Sequence, residues 1–312
     1  MIDFSDIRDE LRGASGVGKR RKKLKDRTQV LPPEIRDLIG QANVHYVLNE
    51  FDAAIEKIEQ VLTTFPEAKS AWTLAASIKT DMGEHDASLR LRVIAALIPP
   101  CDSDVWKDLA GESRSQGATQ QAVYCLSQAI KYNKYDFDAI WDRSVLYKQL
   151  GIYRQSINGF KNLLKFFNHD PNVLNELCPI LLDTSDYVEI DKLMTNAWEY
   201  YQEHFPEPEP DDTGLNINHF KYLVTSQLML RRYHDAIAVI KQSTRWLQGR
   251  YQDTFWDLLP DDREFDENRF ERVGDHRIEF GMGVFELDPD MRISLGQARL
   301  ELGERDEAKV CI

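Results

Sequence analysis

The chain has 312 residues, with 39 basic against 52 acidic side chains and a net charge of −13. That acidity argues against a uniform nucleic-acid binder, and no apolar run nears the roughly 20 residues of a membrane helix, so no membrane partner is expected. Four scattered cysteines (Cys101, Cys125, Cys178, Cys311) form no CxxC pair, which argues for a reducing compartment and against a structural zinc site.

Residues 1–30 read as a basic tail. "MIDFSDIRDEL" lacks the apolar centre of a signal peptide. "GASGVGKR" (13–20) matches the spacing of a phosphate loop, but no strand precedes it, Arg20 stands where a Mg²⁺-binding hydroxyl belongs, and "RKKLK" follows. "KRRKKLKDR" (19–27) holds seven basic residues: Lys19, Arg20, Arg21, Lys22, Lys23, Lys25 and Arg27. Three readings stand side by side: a solvated tail, a nuclear localisation signal, or a contact with DNA, an acidic partner or the chain's own acidic surface. A DNA contact would weaken steeply with salt.

From residue 31 the chain repeats. Gly83, Gly117 and Gly151 fall 34 residues apart, and Asn49 takes the same place one interval earlier. Ala42, Ala76, Ala110 and Ser144 form a column of small residues in that register. So do Ala54, Ser88, Ala122 and Ser156. Trp72 and Trp106 share another column, while Pro66 and Pro100 end units. Such an interval is the period of the tetratricopeptide (TPR) repeat, a helix–turn–helix unit. Small residues let paired helices approach, the left-handed Gly closes the first helix, and Pro stops the second. The expected fold is all-α, a TPR superhelical solenoid, with five repeats over 31–204. Pro179 and the Thr184–Ser185 turn predict a kink or broken turn in the fifth.

An acidic Pro-rich linker is expected at 205–214 ("FPEPEPDDTG") and a sixth helical hairpin at 215–249, where Tyr233, Ala236 and Ile237 fit the start of a second helix. Residues 250–290 lose the period and hold 13 acidic against 5 basic side chains, with Trp256, Phe265, Phe270, Phe280 and Phe285 interspersed. They read either as an irregular insertion or as an acidic, aromatic segment that packs on the array or docks a basic partner. "ISLGQARLELGERDEAKVCI" restarts the repeat at 291–312 through Leu295, Gly296, Gly303 and Ala308. It stops inside a second helix, which predicts a piece of a longer array.

No catalytic constellation is expected, and no cofactor or metal. His234 and Asp235 adjoin at a turn, and neither a nucleophile elbow nor HExxH occurs. Binding is expected on the wall formed by the first helix of each unit. Positions 2, 5, 9 and 12 place Arg36, Asn43, Tyr46, Ser77, Lys107, Arg114, Trp141 and Lys148 there, with Tyr46 and Trp141 as aromatic anchors. A carboxylate clamp of the chaperone-tail type needs basic residues and Asn where this chain has Ile39, Asn43, Leu74, Asp104 and Asp108. Only Asn43 fits, so that adaptor class is rejected.

Over 31 to about 160 the wording is more specific than a generic repeat. "LPPEIRDLIGQANVHYVLNEFDAAI", "AWTLAASIKTDMGEHDASLRLRVIAALIPPCDSDVW", "QAVYCLSQAIKY" and "IWDRSVLYKQLG" together resemble the large TPR subunit of the RNA polymerase III transcription factor TFIIIC. The resemblance implies a non-enzymatic nuclear scaffold acting at tRNA genes. Its implied partners are other TFIIIC subunits and TFIIIB, through the TFIIB-related factor and the SANT-domain subunit. The alternative is a TPR adaptor of another nuclear or cytoplasmic complex.

Overall fold

The structure, a computed structural model, describes residues 31–99, 101–205, 214–259, 261–266 and 285–311. The basic block 19–27, most of the Pro-rich linker, and Phe270 and Phe280 lie outside them. Every regular element among the described residues is helical. The chain divides into two compact units, one up to Gly159 and one from Phe160.

The first unit is a stack of hairpins. It pairs α1 (Pro33–Val47) with α2 (Phe51–Thr64), α3 (Lys69–Asp81) with α4 (His85–Leu97), and α5 (Ser103–Ser115) with α6 (Thr119–Tyr132). A fourth first helix, α7 (Phe137–Gln149), is followed by α8 (Tyr153–Leu164). The small columns are the reason these helices pair closely. Ala42, Ala76, Ala110 and Ser144 are at most 4% exposed, and Ala54, Ser88, Ala122 and Ser156 at most 2%. Where the second column carries Ser, its hydroxyl crosses the hairpin: Ser88 Oγ donates to the Ala76 carbonyl at 2.8 Å, and Ser156 Oγ to that of Ser144 at 2.8 Å. α7 and α8 approach so closely at Gly159 that a Cβ there would lie 2.0 Å from Ser144 Oγ.

One backbone device closes the turn inside each hairpin of this unit. Gly83, Gly117 and Gly151 sit at φ +79°, +74° and +70°, and Asn49 at +60°. At Gly83 the next amide, Glu84 N–H, donates back to the Lys79 carbonyl at 2.8 Å, while Gly83 N–H reaches that of Thr80 at 2.9 Å. This pair of bonds is the Schellman closure, which satisfies two carbonyls the ending helix leaves open. The same outer bond recurs from Glu50 to His45, Ala118 to Ser113 and Ile152 to Tyr147.

The second unit uses the same hairpins: α9 (Pro171–Asp183) with α10 (Tyr187–His204), α11 (Ile217–Met229) with α12 (Tyr233–Leu247), and α13 (Pro289–Glu301) with α14 (Arg305–Cys311). The turn after α9 is not broken: Asp186 N–H donates to the Leu181 carbonyl at 2.9 Å and Ser185 N–H to that of Leu182 at 2.9 Å. α9 runs on to Asp183, with Leu177, Cys178, Ile180 and Leu181 all fully buried around the proline, so packing outweighs one missing donor. Ser185 adopts φ +57° and Arg231 +59°, and both close their turns by the same bonds, since the closure asks for a left-handed backbone and not for a particular side chain. Trp198, Phe220 and Trp246 meet edge to face at 4.9–6.1 Å, and Trp246 Nε1 donates to the Phe205 carbonyl at 2.8 Å.

The described part of 250–290 packs onto this unit. It contributes two short 3₁₀ turns, Phe255–Leu258 and Arg263–Phe265, and buries Trp256 and Phe265. Its acids oppose cations of α12 and α13. Asp262, 1% exposed, receives Lys241 Nζ at 2.8 Å and both Nε and Nη2 of Arg299 at 2.8 and 2.7 Å. Glu264 meets Arg250 at 2.9 Å, and Asp253 accepts from Arg250 at 3.2 Å and from the Trp256 indole at 2.7 Å. The described stretches, 250–259 and 261–266, thus form a packed strap on this unit.

Candidate partner-binding face

First helices of successive hairpins lie side by side in the first unit. Tyr46 at the end of α1 donates its hydroxyl to Asp81 at the end of α3, at 2.6 Å. The hydrogen bond to this carboxylate, with the adjacent negative charge, holds the Tyr46 phenol above its ordinary pKa. Lys107 on α5 bridges Asp104 at 3.1 Å and Asp136 at 3.1 Å. Asp136 is buried, caps α7 through the Ala139 amide, and accepts from Ser103 Oγ at 3.2 Å. Burial works against the Lys107 charge, but the two carboxylates outweigh it and hold the ammonium above the usual lysine range.

The remaining expected residues are placed as follows. Arg36 and Asn43 are exposed and turned back on their own segment, donating to the Leu31 and Ile39 carbonyls at 3.3 and 3.0 Å. Ser77 Oγ donates to the Thr73 carbonyl at 3.2 Å. Arg114 is exposed near the half-buried Asp142, while Trp141 and Lys148 are both half-buried on α7. Asp142 is pushed above the carboxylate range by burial, with Asp138 and Asp136 adding to the shift and Arg114 only partly opposing it. The structure therefore brings together Tyr46 with Asp81, Lys107 with Asp136, and Arg114 with Asp142.

The carboxylates of those pairs are what sequence reading missed. Asp81, Asp136 and Asp142 fall outside the four positions taken as wall-lining, and only Asp136, just before a helix, carried a legible capping signal. Chemically the wall can hydrogen-bond, pair charges and stack. Among the described residues no group of acids, histidines and cysteines is arranged to hold a metal, and no helix is long and apolar enough to cross a membrane.

No family model matches the chain. It is 26% identical to the transcription factor tau 131 kDa subunit of Saccharomyces cerevisiae, over 98% of this chain and 36% of that protein. To the transcription factor tau subunit sfc4 of Schizosaccharomyces pombe it is 28% identical, over 97% of this chain and 32% of that one. General transcription factor 3C polypeptide 3 of Homo sapiens is 31% identical over 44% of this chain and 16% of its own length. The chain thus spans about a third of the length of the first two relatives. Among solved structures, Naa15/Naa10 bound to HypK-THB gives a TM-score of 0.48 at 14% identity, covering 89% of this chain and 36% of that one. The TPR protein YrrB gives 0.33 at 14%, covering 54% and 86%. The TPR assignment rests on the hairpins, small columns and turn closures described above. By alignment along almost its whole length, the chain is a homologue of the transcription factor tau (TFIIIC) subunits that its first half resembles.

Proposed function

We propose that this chain is part of a non-enzymatic scaffold subunit of TFIIIC, acting in the nucleus at RNA polymerase III promoters such as tRNA genes. The single observation that carries the reading is the near end-to-end alignment with two tau subunits. Its hairpins present a polar first-helix wall in which Arg36, Asn43, Tyr46, Ser77, Lys107, Arg114, Trp141 and Lys148 contact partners: other TFIIIC subunits and TFIIIB, through the TFIIB-related factor and the SANT-domain subunit. The interlacing of Lys107 and Arg114 with Asp104, Asp136 and Asp142 suits a partner segment carrying both signs of charge. The basic block 19–27 supplies a contact to DNA phosphates.

The test is a pull-down of purified TFIIB-related factor and SANT-domain subunit by the full chain, by a version lacking residues 1–30, and by the Trp141→Ala/Lys148→Glu double variant. Retention by the first two and loss by the third is expected. Recovery of neither component, with a different complex captured from nuclear extract, refutes the assignment in favour of an adaptor role. Deleting 1–30 should abolish any DNA retention and flatten its salt dependence.

A further inference from the structure

Arg143 lies on α7 at its seam with α6, half-buried, outside the wall residues named above. Its bonds within the chain are meagre. Nη1 reaches Ser127 Oγ at 3.3 Å, the long end of the hydrogen-bond range. That hydroxyl already donates to the Val123 carbonyl at 2.8 Å. Nε is buried with no partner, and the guanidinium stands 5.9 Å from the Tyr147 ring, the outer reach of a cation–π contact. No carboxylate among the described residues pairs with it; burial depresses its pKa, and Tyr147 partly opposes the shift.

Several other buried or half-buried arginines are matched by carboxylates. Arg92 meets Glu112, Arg245 meets Asp257, Arg250 meets Glu264, and Arg299 meets Asp262. A partly desolvated cation without a counter-charge costs stability, and a chain with 52 acidic residues has ample means to supply one. Among the described residues no counter-charge takes up this cation, which leaves it available to a group from elsewhere.

We propose that Arg143 is a docking point for a carboxylate carried by an acidic segment of a partner protein, seated at the α6–α7 seam. The guanidinium fork matches a carboxylate in shape. Because Nε lies beneath the surface, two-pronged capture asks the side chain to swing outward, and among the described residues the long bond to Ser127 and the distant Tyr147 ring are what oppose that. A phosphate dianion calls for more than one cation, whereas a carboxylate matches a single guanidinium fork.

The experiment uses the full chain labelled with ¹⁵N in arginine, the Arg143 Nε–H signal being assigned by its loss in Arg143→Met. The probe is a capped Ala-Glu-Ala-Glu-Ala peptide at millimolar concentration, with Gln and phosphoserine counterparts as separate arms. The Glu peptide should shift the Arg143 signal saturably, and Arg143→Met should bind it about tenfold or more weakly by calorimetry. Arg143→Lys, which keeps the charge and loses the fork, should fall between the two. Arg143→Met should melt at or above the parent temperature. The inference is overturned by no saturable shift, by equal binding of the Gln peptide, by binding of the phosphoserine peptide alone, or by undiminished binding to Arg143→Met. A fall in melting temperature in Arg143→Met overturns it too, by showing that the guanidinium serves the fold. The assay contains no transcription factor, so its outcome is independent of the TFIIIC reading.

Discussion

Replacing Gly159 by Ala sets two known effects against each other at one contact. Gly159 lies within α8, where Ala is the better helix former by about 1 kcal/mol. Yet the added methyl would stand 2.0 Å from Ser144 Oγ and 3.1 Å from Ser144 Cβ. One escape is rotation of the Ser144 hydroxyl, which gives up its 2.7 Å bond to the Ile140 carbonyl and strands a buried polar group, at a cost of about 1–3 kcal/mol. The other is separation of α7 and α8, an overpacking of similar cost, about 1–3 kcal/mol. Either outweighs the propensity gain, so Gly159→Ala should lose about 1–2 kcal/mol. Removing the obstacle reverses the sign. In Gly159→Ala/Ser144→Ala the nearest atom is the Cβ at 3.1 Å, and stability should return to about the parent value. One interval upstream the same two places hold Ala110 and Cys125, both buried, a smaller residue facing a larger one. Urea unfolding of the four proteins, followed by far-UV circular dichroism, gives the coupling directly. A coupling within about 0.5 kcal/mol of zero, or a single variant more stable than the parent, refutes the close-approach argument.

Asp262→Asn leaves Lys241 and Arg299 without their shared carboxylate and should cost about 3–5 kcal/mol, read as a lower urea midpoint; a loss under about 1 kcal/mol shows that the strap is not held by charge. Arg231→Gly relieves a left-handed non-glycine residue and should gain about 0.5–1 kcal/mol, while Gly83→Ala should lose about 1–2 kcal/mol. Matching effects at the two sites would contradict the turn argument. His219 is kept neutral: burial lowers its pKa, though the Pro171 carbonyl, 2.8 Å from Nε2, partly opposes the shift. Its folded pKa lies below the unfolded value, so the unfolded chain takes up the proton first and stability falls as pH drops below about 6.5. Melting temperatures between pH 8 and 5 should show that fall diminished in His219→Gln.

The repeat was legible because its constraints are steric and periodic. The glycines and Asn49 were readable as turn closers, and Ala42, Ala76 and Ala110 as close-approach positions, since few residue types satisfy either need. Ser185 and Arg231 were opaque, because a left-handed residue with a side chain looks like any other in sequence. At Pro179 a local penalty is visible in sequence, while the packing of Leu177, Ile180 and Leu181 that carries the helix on to Asp183 is not. Among the wall residues, helical position could be counted out, but Tyr46 acquires its partner from Asp81, 35 residues away. The strap was the least legible part. Its two readings, an irregular insertion or a segment that packs or docks, stayed open because Asp262 and Glu264 gain their meaning from Lys241, Arg250 and Arg299, which no periodicity links to them.

Hairpin closure written in main-chain bonds has a bearing on how such a chain can change. Glycine, asparagine, serine and arginine all end a first helix here, so the identity of the residue is open to drift. The number of residues between one reversal and the next is not. A single deletion inside a helix would rotate every later contact by about 100° about its axis, turning small faces outward. A change of residue at a turn is therefore tolerated more readily here than a change of length within a helix.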